Sequence, residues 1–211
     1  MLRVMAEPTA SDYLWFAEHF PYLLAGGYCI TLVRDLSPVA MLASLGGRAE
    51  GTVTGGRKMA VSADKTWTTY NWRRAFVGVT SVGDWTLMVE ANGWLGVSPE
   101  LMAPISIGTT VVSHFRNVNA VDDFCWFQDG DVRLTFAPLS PYNRSGSDPD
   151  GLVDVMQQVG FDLSDGEERD YGMRTEAAFA LSERITGVRL TRELLESEFV
   201  AGTAPVPQSG S

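Results

Sequence analysis

At 211 residues, 45% of them apolar and 20% charged, the chain is sized for one domain with a full hydrophobic core. Its net charge of −10 is uneven: residues 1–80 carry 8 Lys and Arg against 6 Asp and Glu, and residues 81–211 carry 8 against 20. That balance argues against generic binding to nucleic acid or to an anionic membrane, and no apolar run approaches the ~20 residues of a membrane span.

The first residues, MLRVMAEPTASDY, lack the apolar stretch of a signal peptide, and residues 1–10 read as a flexible tail. Thr9 or Ser11 is placed to cap a helix, in which Tyr13, Phe16, Phe20 and Leu24 fall near helical spacing, with a break at Pro21. Tyr28–Arg34 is rich in β-branched and aromatic residues and predicts a strand. Ser37 then caps a helix with Pro38 at its first position, Leu36 and Met41 at the staple positions, and Gly46-Gly47 at its end. The same junction recurs at Ser98-Pro99 and at Leu190-Thr191, and Ser147-Asp148-Pro149 predicts a helix running to about Val159.

Residues 48–66 are small, polar and glycine-rich, and read as a mobile loop or a weak edge hairpin. Thr66 to Val79 predicts one strand or two. Trp85 to Val97 reads as a hairpin turning at Asn92-Gly93, with Trp85, Leu87, Val89, Ala91 and Trp94 on a core face. A second hairpin turns at Asp129-Gly130 and pairs Phe127 with Val132, Cys125 with Leu134, and Trp126 with Arg133. Thr175 starts a helix that stops at Gly187, and residues 201–211 read as a disordered tail. The order predicts an α+β fold, an antiparallel sheet with helices on one face or at its ends, as a single domain over residues 11–200.

Most familiar chemistries lack their residues. Gly51 to Lys58 superficially resembles a phosphate-binding loop, but Arg57 and Lys58 stand where Lys and then Ser or Thr are needed. Two histidines, His19 and His114, and no CxxC give no structural zinc site, so no metal and no cofactor are expected. Cys29 and Cys125 lie in apolar strands, which suggests buried free thiols in the cytoplasm. Lys65 to Arg74 interleaves aromatic and basic residues in the manner of a nucleic-acid stacking surface, but as a strand it would put Trp67 and Trp72 on opposite faces.

One segment gathers the candidate site. His114 and Arg116 point to one face of a strand, Asn117 and Asn119 lie in the following loop, and Asp122 and Asp123 begin the next strand. A His, an Arg and two carboxylates at one sheet end can bind an anion or move a proton. Strand polarity and loop capping account for the same residues without function. Trp126 and Arg133 on the neighbouring hairpin form either a ligand-stacking face or a cross-strand cation–π pair.

The blocks YCITLVRDLSP, DWTLMVEANGWLG, GTTVVSHFRNVNAVDDFCW, GSDPDGL and ERITGVRLTRELLE resemble those of a family of actinobacterial proteins known only as a domain of unknown function. The resemblance spans roughly residues 11–197, is most distinctive at RNVNAV and weakest over 48–66. It implies a single-domain cytoplasmic protein and supplies no catalytic residue.

Together these features predict a non-enzymatic module that binds a partner protein, of the immunity or regulatory kind, with neither nucleic acid nor membrane as partner. The alternative is a small-molecule binder or hydrolase using His114, Arg116, Asp122 and Asp123.

Overall fold

The computed structural model describes residues 7–166 and 168–207. Its nine strands form one antiparallel sheet: β1 Tyr28–Arg34, β2 Arg48–Thr54, β3 Arg74–Val82, β4 Trp85–Ala91, β5 Thr110–Arg116, β6 Asp122–Gln128, β7 Asp131–Phe136, β8 Arg144–Ser145 and β9 Glu198–Pro205. They lie in the order β2-β9-β3-β4-β1-β5-β6-β7-β8. The helices are α1 Trp15–His19, α2 Pro21–Gly26, α3 Pro38–Ser44, α4 Gly56–Thr69, α5 Pro99–Ile105, α6 Val153–Val159, α7 Arg174–Thr186 and α8 Arg192–Leu195. The fold is α+β, as the pattern predicts. None of the described helices is long and apolar enough to cross a membrane.

Strand alternation sorts the core into two clusters on opposite faces. Tyr28, Ile30 and Leu32 of β1 join Leu87, Val89, Val112 and Phe124 beneath Phe16, Phe20 and the Ala177–Leu181 stripe of α7. Val33, Met88, Val111 and Phe127 face the other way, beneath Met41 and Leu42 of α3 and Met102 of α5. The helices thus divide between both faces. β1, with six of its seven residues buried, is the central strand and pairs with β4 and β5.

Several junctions form as read. Ser37 Oγ accepts from Ala40 N at 3.3 Å with Pro38 at the first helical position, and Thr191 Oγ1 accepts from Leu194 N at 3.2 Å. Thr9 caps a 3-10 turn over Ala10–Tyr13 in a reciprocal box with Asp12. Thr9 and Ala10 therefore belong to the domain, while the expected tail over 1–6 lies outside the described residues.

The C-terminal boundary is corrected: residues 201–205, expected to be disordered, complete β9, which lies inside the sheet between β2 and β3. Small residues suit this place, because a side chain at Gly202 would strike the Arg48 carbonyl. Residues 208–211 of that expected tail lie outside the described residues.

The glycine-rich stretch is also corrected. It is the edge strand β2 followed by fourteen residues of helix α4, whose Met59, Ala63, Thr66 and Trp67 are buried at i, i+4, i+7 and i+8. Strand then begins only at Arg74. Asn92-Gly93 does not close a hairpin. The hairpin partner of β4 is β3, joined through Gly83 and Asp84, with Val82 opposite Trp85. The buried carboxylate of Glu90 accepts from Leu95 N and Gly96 N, both at 3.0 Å, and draws the chain beyond Asn92 into a 3-10 turn over Leu95–Val97.

The Asp129-Gly130 hairpin forms with Phe127 opposite Val132, but a bulge follows. Trp126 pairs with Leu134 and Cys125 with Thr135, which leaves Arg133 as the extra residue. The predicted pairs of Cys125 with Leu134 and Trp126 with Arg133 are displaced accordingly. The helix expected from Asp148 starts at Val153, because the Asp148 carboxylate is taken by Arg133 Nη2 at 2.9 Å.

Candidate functional site

The HFRNVNAVDD segment folds around buried charge. Asp122, at the start of β6, has a fully buried side chain. Its Oδ2 accepts from Arg174 Nε at 2.9 Å, and Arg116 Nη1 of β5 lies 3.7 Å from the same oxygen. Its Oδ1 accepts from Leu139 N at 3.1 Å. Arg116 Nη1 also donates to Thr175 Oγ1 at 3.3 Å. One carboxylate therefore ties β5, β6, the loop after β7 and the start of α7 together.

His114 stands deeper. Its ring packs edge-on to Tyr28 and Phe179, and its Nδ1 lies 3.3 Å from the Tyr28 hydroxyl. Burial, with the positive charges of Arg116 and Arg174, lowers its pKa to about 3, so the imidazole is neutral. The void beside it, lined by Ile30, Val112, Phe179 and Leu190, is apolar and has about 10 Å³ of space, roughly that of one water. No substrate-sized space opens on it. Burial also raises the pKa of Asp123, with Asp122 adding to the effect.

The remaining predicted residues divide. Asn117 Oδ1 accepts from Asn119 N and Val121 N and fixes the loop, which is the capping account of that asparagine. Asn119 is exposed. The Arg133 guanidinium lies 5.7 Å from the centre of the Trp126 ring and is ion-paired to Asp148. That is the cross-strand cation–π pair. His114, Arg116 and Asp122 come together, while Trp126 and Arg133 are not among the residues that line the void beside His114. Cys29 and Cys125 are both buried free thiols, and burial pushes the Cys125 pKa up to about 12, which leaves it unreactive.

A larger cavity lies elsewhere, between β2 and the first turns of α4. It has a volume of about 670 Å³ and is lined by Thr52, Thr54, Arg57, Lys58, Ser62 and Glu196, among others. A strand-to-helix junction surrounds the segment that resembles a phosphate loop, where the sequence predicts a mobile loop or an edge hairpin. Gly55 sits at φ +85°, and a side chain at Gly56 would meet the Tyr22 hydroxyl. The strand is antiparallel to β9, and the lysine and hydroxyl positions of a nucleotide loop remain unfilled.

The charge of this wall is unusual for the chain. Residues 48–74 carry six Lys and Arg against two Asp and Glu, where the whole protein carries 16 against 26. Arg57 and Lys58 are exposed and make no ion pair among the described residues; Arg57 lies 5.9 Å over the Tyr22 ring. β2 is one of the two edge strands, and its outward edge has no strand partner among the described residues. Sequence reasoning missed this site because the glycines of 51–56 outweighed the helical spacing of Met59, Ala63 and Trp67, which was the signal available.

No group of three His, Cys, Asp or Glu side chains among the described residues is arranged to hold a metal. Neither the curated proteins nor the solved structures contain a match to this chain. A family model matches residues 6–209, and the chain belongs to that family, the family of unknown function DUF6461.

Proposed function

We propose that the protein is a non-enzymatic cytoplasmic binding module, of the immunity or regulatory kind, that captures an acidic, extended segment of a partner protein against β2 and the start of α4. The observation that carries this reading is the cavity of about 670 Å³ that holds Arg57 and Lys58, without ion-pair partners among the described residues, beside an unpaired strand edge. An extended peptide adds to such an edge through its backbone, and side-chain carboxylates reach the two cations. On a chain of net charge −10, this local excess of positive charge orients an acidic partner toward one face.

Two further observations support the reading. The hydrolase alternative needs a substrate at His114, and that imidazole is buried beside a void with room for about one water. Two buried free thiols are in keeping with a reducing compartment.

A titration of the isotope-labelled full chain with an alternating Val-Glu decapeptide, followed by amide NMR, tests the proposal. Shifts concentrated in residues 52–62, weakened at least about tenfold by Arg57→Glu with Lys58→Glu, are expected. Shifts scattered over the acidic face, or affinity indifferent to the double reversal, would overturn it.

A further inference from the structure

The three tryptophans Trp67, Trp72 and Trp94 form one column. The Trp67 ring centre lies 4.9 Å from that of Trp72, with planes 23° apart, and 5.5 Å from that of Trp94, with planes 5° apart. Trp67 is the inner ring: it is 2% exposed and donates its indole N–H to the Asn92 carbonyl at 3.1 Å. Trp72 and Trp94 are the outer rings, 58% and 37% exposed. Consecutive left-handed residues, Asn71 at φ +47° and Trp72 at φ +62°, reverse the chain after α4 and return Trp72 onto Trp67. As a strand this segment would have parted the two rings; as a helix end followed by a left-handed turn it stacks them.

We propose that this column is a binding site for a mononucleotide, whose base stacks on the open face of Trp72 and whose phosphate is taken by Arg73. The column is preorganised: its inner ring is seated in the core, and the loop bearing Trp94 is held by the Glu90 carboxylate. An added base extends an existing stack and needs no rearrangement. Arg73 follows Trp72 directly, is exposed, and makes no ion pair among the described residues. Residues 65–74 hold Lys65, Arg73 and Arg74 and no carboxylate.

The charge pattern selects among occupants. A polyanionic strand would extend past this patch onto a protein of net charge −10 and be repelled. An aromatic side chain of a peptide would leave the Arg73 charge unused. A single nucleotide presents one planar ring and one phosphate group, which matches one open indole and one free guanidinium. This inference is independent of the acidic-segment reading, which uses Arg57 and Lys58 at the other end of α4.

Titration of the full chain with AMP, followed by indole fluorescence, tests it. Saturable quenching is expected, several-fold weaker with adenosine and absent with ribose 5-phosphate. Trp72→Leu is expected to weaken AMP binding about tenfold, the contribution of one stacked base. Arg73→Gln, a surface change that leaves the fold intact, is expected to weaken AMP but not adenosine. Absence of saturable quenching by AMP, or AMP affinity unchanged in both variants, would overturn the proposal, as would tighter binding of an oligodeoxyadenylate or of a tryptophan-bearing acidic peptide.

Discussion

Arg174 and Asp122 stand 52 residues apart in the chain, and the Nε of one donates to Oδ2 of the other at 2.9 Å. Asp122 is wholly withdrawn from solvent, and Arg174 and Arg116 are the opposite charges that face it there. Removing the carboxylate leaves two largely buried guanidinium groups without their counter-charge and the Leu139 amide without its acceptor. Asp122→Ala is expected to lower the unfolding free energy by about 3–5 kcal/mol in urea titration. A double-mutant cycle with Arg174→Met should return a coupling of about 1 kcal/mol or more, and additivity would show that the pair does not act as a unit.

His114 makes stability fall in acid. Its pKa drops from 6.5 to about 3 on folding, chiefly through burial, so the unfolded chain binds the proton first. The contribution is present above pH 6.5 and is lost as pH falls toward 3, with a size of up to about 5 kcal/mol. His114→Leu is expected to flatten that limb of the stability profile. NMR of the imidazole should find it neutral at pH 5.

Glu90 acts in the opposite direction. Burial raises its pKa from 4.5 to about 7 against the two amides that bond to it, so the native state holds its proton longer than the unfolded chain. Its contribution is full below pH 4.5 and is lost as pH rises through 7, a change of about 3 kcal/mol. Glu90→Gln should remove this slope. Because Glu90 holds the loop of Trp94, its titration should also appear as a step in tryptophan emission near pH 7, absent in the variant.

Gly96 has no room for a side chain. A Cβ there would overlap Thr31 Oγ1 and press on the Cys29 sulfur, both in the central strand. Gly96→Ala is expected to cost about 2 kcal/mol or more, read as a lower urea midpoint at unchanged m-value. A midpoint equal to that of the parent would show that the 3-10 turn shifts freely.

Glu196 lies on the cavity wall beside Gly55, opposite in charge to Arg57 and Lys58. Its exposed carboxylate opposes an incoming acidic segment. Glu196→Gln is expected to tighten binding of the Val-Glu decapeptide a few-fold, with stability changed by less than about 0.5 kcal/mol.

Short-range chemistry made part of the fold readable. Ser37-Pro38, Thr191 and Asp129-Gly130 each specify their junction within four residues, and each forms as read. Asn92-Gly93 carries an equally strong local signal and fails, because the Glu90 carboxylate offers the following amides a better partner than a facing strand. In the candidate site, the alternation of His114 and Arg116 put both on one face, and in β5 they meet Phe179 and Thr175 of α7. Nothing near them in sequence revealed Arg174, whose guanidinium arrives from another element.

Composition, alternation and junction residues are enough to specify an antiparallel α+β domain, since each depends on neighbours a few residues away. The place of β9 between β2 and β3, the bulge at Arg133, the burial of His114 and the stacking of Trp72 on Trp67 depend on partners up to about 150 residues distant. Those outcomes follow from which surfaces meet on folding, because the free energy of a strand pair, a buried charge or an aromatic stack belongs to the contact and not to either segment alone.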